Sequence, residues 1–143
     1  MTKKRRSGHP EMLSRNVEIS DFRTTVRISA VHRRGDEPEI ESKPWLELQG
    51  KATEPIQGVV DVKISMYPEE PLVVGTARPA AVGAIIQAKP ELSVVLSWSH
   101  ADFDRVWAMA LAGHLKYTHL YFTAPHYNSG LVVSASFSNE REE

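Results

Sequence analysis

The chain has 143 residues, of which 41% are hydrophobic and 24% are charged. This length and composition predict a single globular domain with its own core. Because the chain has no cysteine, disulfides, thiolate metal sites and a cysteine nucleophile are excluded. No apolar run is long enough to span a membrane. The basic first residues are not followed by the apolar run that a signal peptide needs. We therefore expect a cytoplasmic protein without membrane contact.

The net charge of -1 conceals an uneven distribution of charge along the chain. Residues 1–34 contain nine Lys or Arg and three acidic residues, whereas the remainder contains eight basic and fifteen acidic residues. A basic end is typical of nucleic-acid binding, because Lys and Arg neutralise phosphates. It is also typical of a solvated tail, or of a segment that pairs with the acidic body of its own or another subunit. The acidic body would repel a polyanion and therefore favours these last two interpretations.

Periodicity divides the chain into three parts. Residues 1–16 contain Gly and Pro, show no apolar period and are predicted to form a disordered basic arm. Residues 17–139 are predicted to form a single β-rich domain, and residues 140–143 a polar tail.

The first predicted strand, residues 22–30, has one apolar and one cationic face, because its even and odd positions alternate in character. Val17 and Ile19 are apolar but occupy odd positions. A β-bulge or bend near Ser20 and Asp21 is therefore needed if both parts face the same core.

Similar alternation or turn spacing predicts further strands at residues 45–49, 60–66, 84–88, 92–98, 115–123 and 131–138, and an edge strand at 72–74. Residues 51–57 contain Pro55 and few large apolar side chains, so a loop is expected there. The last two strands are expected to form a hairpin, since residues 124–130 are rich in turn formers.

One amphipathic helix is predicted at about residues 100–112, before this last hairpin. Ser99 is suited to the N-cap and Gly113 to the C-terminal end of the helix. The spacing places five apolar side chains on one face: Phe103, Val106, Trp107, Ala110 and Leu111. We expect this face to cover a sheet or to plug one end of it, and replacement of Trp107 by Ala to cost about 3–5 kcal/mol if that side chain is fully buried.

Together these elements predict a mainly β fold. The two architectures that fit are an antiparallel β-sandwich and a partly open barrel, each of about seven strands with the helix before the last hairpin.

The sequence contains no motif that identifies a catalytic, metal or cofactor site. Neither a G-x-S-x-G motif nor a glycine-rich phosphate loop occurs. His114, His119 and His126 have a spacing that does not favour three converging metal ligands. The polar residues 99–104 are accounted for by helix capping. We therefore expect no catalytic residue, no metal and no cofactor.

Two binding surfaces are predicted instead. Aromatic rings with polar tips can stack on a sugar, a base or another protein; those of the last hairpin are Tyr117, His119, Tyr121, His126 and Tyr127. The second surface combines the cationic strand face with the basic arm, and comprises Arg23, Arg27, Arg33, Lys3, Lys4, Arg5 and Arg6.

The sequence thus favours a domain that works by binding a protein partner or by self-association, as a homo-oligomer or an accessory subunit. One alternative is a nucleic-acid binder that uses the basic arm. Another is a small enzyme or ligand carrier with a histidine-containing pocket between sheet and helix. Convergence of histidines with a carboxylate in a cleft would favour the enzyme.

Overall fold

A computed structural model of the chain describes residues 10–32, 35, 37–69 and 81–142. Its elements, in chain order, are β1 (Met12–Val31), β2 (Glu39–Ile56), β3 (Val59–Pro68), β4 (Gly83–Gln87), β5 (Leu92–Trp98), α1 (His100–Leu111), β6 (Tyr117–Thr123) and β7 (Gly130–Ser138). The predicted mainly β fold, with seven strands and one helix before the last hairpin, is confirmed. The edge strand predicted at residues 72–74 lies outside the described residues.

The seven strands form a closed barrel in the order β1-β2-β3-β5-β4-β7-β6. Neighbouring strands are antiparallel except β3 and β5, which run parallel. The barrel closes where the first part of β1, from Met12 to Glu18, pairs with β6. The sheet is therefore mixed and closed, rather than purely antiparallel and partly open.

β1 changes the direction of its side chains at a bulge, as the alternation predicts. The pairing of β1 with β2 shifts register between Ile19 and Asp21. Before the shift the odd-numbered Val17 is buried in the core, and after it the even-numbered Thr24 pairs with the buried Leu46. The extra residue keeps apolar side chains of both parts on the same side of the sheet.

β2 is much longer than the sequence indicates, because the loop expected at residues 51–57 is largely strand. A two-residue turn joins β2 to β3, with Ile56 paired to Val59. Gln57 and Gly58 have φ angles of 49° and 84°. Two consecutive positive φ angles are typical of a type I′ turn, whose twist matches that of the strands it joins.

The barrel interior is filled by apolar side chains that alternate along the strands. β3 contributes Val62, Ile64 and Met66, and β5 contributes Leu92, Val94 and Leu96, all with 1% or less of their surface exposed. Burial of one such side chain contributes about 1.5–3 kcal/mol to folding.

The helix α1 packs on this core through part of its predicted face. Phe103, Val106 and Ala110 are buried, whereas Trp107 is only partly buried and Leu111 is exposed. The prediction is therefore correct for the three side chains at the centre of the face, but the buried face is narrower than predicted and does not include Leu111.

Both ends of α1 are capped as the sequence predicts. Ser99 Oγ accepts a hydrogen bond of 3.3 Å from the Asp102 N–H. At the other end Gly113 has a φ of 76°, and the N–H groups of Gly113 and His114 donate to the carbonyls of Ala110 and Met109. These two bonds form a Schellman motif. In the part of the chain that the structure describes, no helix has the length and apolar character needed to cross a membrane.

Candidate assembly interface

β1 and β2 continue past the barrel as a two-stranded arm, defined here as residues 25–31 and 39–45. Among the described residues, each strand of the arm pairs only with the other. The arm leaves the barrel at the end where α1 begins, since Leu46 pairs with Met66 near the end of β3. At ~3.4 Å per residue it is about 20 Å long. A two-stranded ribbon is only marginally stable by itself in water, so a further surface is expected to support it.

One face of the arm is apolar and exposed. It carries Val26, Ile28 and Ile40, of whose surfaces 51%, 70% and 73% are accessible. Side chains alternate in direction along a strand, so these residues lie on the same side of the sheet as the buried Leu46 and Leu48. The arm therefore extends the interior surface of the barrel into solvent. Apolar surface that a folded domain leaves exposed in one place commonly marks an interaction site.

The opposite face of the arm and its base carries charges that compensate one another. Arg23 Nη2 lies 3.0 Å from Glu47 Oε2, and Lys63 Nζ lies 3.4 Å from Glu47 Oε1. The guanidinium of Arg27 lies 5.6 Å from the centre of the Trp45 ring, in a cation–π arrangement. The cationic face that alternation predicts for β1 is therefore partly neutralised by the neighbouring strand.

The two edges of the arm differ in how well they are protected against pairing with another strand. On β2 the edge of residues 39–45 contains Pro44, which has no N–H to donate, together with three charged residues. On β1 the edge of residues 21–31, called the free edge below, contains no proline and pairs with no described strand other than β2. A long free edge of this kind is a template for strand addition.

The predicted aromatic surface is on the outside of the barrel, where the structure spreads it over a long distance. Tyr117, His119 and Tyr121 alternate along β6 with buried residues and so point outward. His126 and Tyr127 lie in the turn beyond the far end of β6, with ring centres 4.3 Å apart. Six residues of strand separate Tyr117 from the end of β6, which is about 20 Å. The structure thus brings together the rings of the turn, and separates them from Tyr117.

His119 is in contact with the end of the chain that the sequence predicts to be a polar tail. His119 Nδ1 lies 3.2 Å from Glu142 Oε2, and Ser136 Oγ donates a bond of 2.8 Å to Glu142 Oε1. Asn16 Nδ2 donates to the Glu142 carbonyl at 2.7 Å, and the Glu142 N–H donates to Asn16 Oδ1 at 3.1 Å. This contact covers part of the outward face of β6, beside a cavity of about 630 Å³ that is also lined by Arg141.

Among the residues that the structure describes, the other histidines do not converge on a common site. His100 begins α1 and lines a groove of about 680 Å³ at the base of the arm, together with Trp45 and Tyr67. His114 follows the end of the helix, and His126 lies in the last turn. Within residues 10–32, 35, 37–69 and 81–142, no three His, Asp or Glu side chains are grouped so that they could hold a metal ion.

Five of the residues predicted to bind lie outside the described residues: Lys3, Lys4, Arg5, Arg6 and Arg33. Comparison with known proteins adds no functional information. No protein-family model matches the chain, and neither the search of curated proteins nor the search of solved structures found a significant match.

The feature that sequence reasoning missed is the apolar face of the arm. Alternation predicts that Val26 and Ile28 are strand residues facing a core, and Ile40 lies outside every predicted strand. The sequence feature that could have revealed this face is Gly35, because the pairing of β1 and β2 after the bulge is centred on that turn residue. Folding the first strand about that glycine puts Ile40 opposite Ala30, beyond the reach of the barrel.

Proposed function

We propose that this chain is a non-enzymatic assembly subunit that docks on a protein surface through the apolar face of its arm. The observation that carries the proposal is the exposure of Val26, Ile28 and Ile40 on a ribbon that no third described strand supports. Burial of these side chains in an interface would remove apolar surface from water and stabilise the ribbon at the same time.

Electrostatics supports a protein partner over a nucleic acid. A binder of phosphates needs cations that are free to displace counterions. On the described part of the cationic face, Arg23 is paired with Glu47, and Arg27 lies over Trp45. Arg27 makes no ion pair within the described residues, but a single cation is a small phosphate-binding surface. We therefore retain the protein-binding interpretation, and expect the subunit to work in the cytoplasm.

The proposal is tested by the size of the tagged chain in an extract of its own cells. We expect the wild-type chain to elute from a sizing column in a complex larger than a monomer. The double variant Ile28→Ser/Ile40→Ser should elute as a monomer, because the apolar contact is lost on both strands of the arm. Ile86→Ser is a matched control, since Ile86 is 61% exposed but lies on the barrel wall in β4.

Elution of the wild-type chain as a monomer, in the extract and after purification, would overturn the assembly function. Loss of the complex in Ile86→Ser but not in the arm variant would indicate that the interface lies on the barrel wall. This result would also contradict the proposal. Circular dichroism of the three proteins establishes that each retains its strands.

A further inference from the structure

The groove at the base of the arm has the lining of a peptide-binding site. We propose that it binds a proline-rich segment in the polyproline II conformation, with an acidic residue beside the prolines. The groove lies along β2, on the charged face of the arm and away from the free edge of β1. The apolar face of the arm is on the opposite side of the ribbon. This inference therefore goes beyond the proposed assembly function and does not depend on it.

The groove is present because β2 and β3 separate at the base of the arm. Their pairing ends at Leu46 and Met66, so the next two residues across from each other, Trp45 and Tyr67, do not pair. Tyr67 stays with the barrel through its pairing with Ser97 of β5, whereas Trp45 belongs to the arm. The space between arm and barrel has a volume of about 680 Å³. Because it follows two diverging strands, it suits an extended chain better than a compact molecule.

Both sides of the groove are aromatic and apolar. Residues 42–45 line the arm side, and residues 67–69 line the barrel side. Each side has an aromatic ring next to a proline, namely Trp45 with Pro44 and Tyr67 with Pro68. Tyr67 is 41% exposed and Trp45 is half-buried, so a ligand can reach both rings. Grooves lined by aromatic side chains bind proline-rich segments, whose conformation is largely formed before binding.

The two rings also carry hydrogen-bond donors that the chain leaves unused. Neither the indole N–H of Trp45 nor the hydroxyl of Tyr67 donates to a residue that the structure describes. A polyproline II segment has no internal hydrogen bonds, so its carbonyls are free to accept from such donors. Tyr and Trp suit this kind of ligand because each combines an apolar ring with one donor. A compact aromatic molecule could stack on the same rings, but it offers no row of carbonyls, and the donors therefore favour the peptide.

The charges around the groove favour an acidic residue beside the prolines. Arg27 and Lys43 both line the arm side. Arg27 makes no ion pair within the described residues, and the Lys43 side chain is 73% exposed, with its Nζ 3.8 Å from Glu41 Oε2. Glu69 lies on the barrel side, where its Oε2 accepts a bond of 2.7 Å from Ser97 Oγ. An acidic side chain of the ligand is therefore attracted toward the arm.

The first experiment locates binding by nuclear magnetic resonance on the full-length chain. The probe is an octaproline peptide flanked by glutamates. The chain has three tryptophans, and each gives one indole N–H signal. We expect the peptide to shift the signal of Trp45, which is assigned by its loss in Trp45→Phe. The signals of Trp98 and Trp107 should stay in place, because Trp98 Nε1 is buried and Trp107 packs on the core from α1.

The second experiment measures the dissociation constant of the labelled peptide by fluorescence anisotropy. Tyr67→Ala should raise it by about tenfold or more, since aromatic residues at the centre of an interface carry much of its binding energy. Tyr67→Phe keeps the ring and loses one hydrogen bond, so the increase should be about two- to tenfold. Tyr127→Ala is the matched control and should bind like the wild type, because Tyr127 is 91% exposed and lies in the last turn.

The contribution of charge is tested with Lys43→Gln. This variant should raise the dissociation constant of the glutamate-flanked peptide by about two- to fivefold, and less as salt is added. Its affinity for octaproline without glutamates should equal that of the wild type. Lys51→Gln is the control, since Lys51 is 72% exposed on the same strand but lies outside the groove. Equal effects of the two lysine variants would contradict an acidic residue at the arm side.

The remaining outcomes decide whether the groove recognises prolines. No shift of the Trp45 signal at millimolar peptide, in a protein whose spectrum shows it folded, overturns the inference. A shift with benzoate but not with the peptide would assign the groove to a small aromatic anion instead. A Ser-Gly peptide of the same length and charge that binds equally well would show that the prolines are not recognised. Loss of binding in Ile28→Ser/Ile40→Ser would place the peptide on the apolar face, whereas unchanged binding in that variant supports a separate site.

Discussion

Gly50 lies against the carbonyl oxygen of Glu18 so closely that a Cβ atom at Gly50 would be 2.2 Å from that oxygen. The contact is at the bulge of β1, where Ile19 pairs with Gly50 and the next register begins. Because the obstructing atom belongs to the backbone, no side-chain rotation can relieve the clash. The base of the arm therefore depends on the absence of a side chain at this one position of β2.

We expect Gly50→Ala to lower the free energy of unfolding by about 1–3 kcal/mol, the usual cost of forcing an additional group into a packed site. Thermal denaturation of the variant and of Ser42→Ala, an exposed position on the same strand, measures the difference. A midpoint for Gly50→Ala equal to that of the control would show that the two strands are further apart at the bulge.

Phe103 is the most deeply buried side chain of α1. It is 1% exposed and its ring centre lies 5.6 Å from that of Trp107. We expect Phe103→Ala to destabilise the protein by about 3–5 kcal/mol, as measured by urea unfolding. Trp107→Ala should cost less than the sequence predicts for a fully buried indole, because Trp107 is only partly buried. Leu111→Ala is the control, since that side chain is largely exposed.

Glu47 is the carboxylate that compensates the base of the arm. Only 16% of its side chain is exposed, between Arg23 and Lys63. Both partners are substantially solvated, so we expect Glu47→Gln to cost about 0.5–1 kcal/mol, and less as salt is added. Asp61→Asn is the matched control, because Asp61 and its partner Lys51 are both highly exposed. Equal salt dependence of the two variants would contradict a special role for Glu47.

Asn16 holds the end of the chain on the barrel wall through two hydrogen bonds to the backbone of Glu142. We expect Asn16→Ala to release this segment and to accelerate tryptic cleavage after Arg141, followed by mass spectrometry. The global stability should change by less than about 1 kcal/mol, since the contact is near the surface. Ser14→Ala, on the same face of β1, should be cleaved like the wild type. Unchanged cleavage of Asn16→Ala would assign the attachment to His119 instead.

The parts of the fold that were predictable from sequence are those that short segments determine. The bulge near Ser20 follows from a change of parity between Ile19 and Phe22, and the cap at Ser99 from side-chain chemistry beside the helix. Both involve residues within a few positions of each other, so local pattern contains the information they need.

The remaining parts depend on partners that are distant in the sequence. Two such features are the parallel pairing of β3 with β5 and the closure of the barrel through β6. Both depend on how seven strands enclose one interior. Alternation within a single strand does not contain that information. The neutralisation of Arg23 is not predictable from its own strand for the same reason, since Glu47 lies 24 positions away. A face of one strand has no definite electrostatic character until the register of its neighbour is known.

The pairing of Met12 with Thr123 has a consequence for the order in which this molecule can be made. A ribosome must release residues 117–123 before the first strand meets its second neighbour. Until then β1, β2 and β3 can pair through their short connections, but the outer edge of β1 is unprotected along its full length. High contact order slows folding, so we expect the nascent chain to be vulnerable to aggregation at the same arm that we propose for docking.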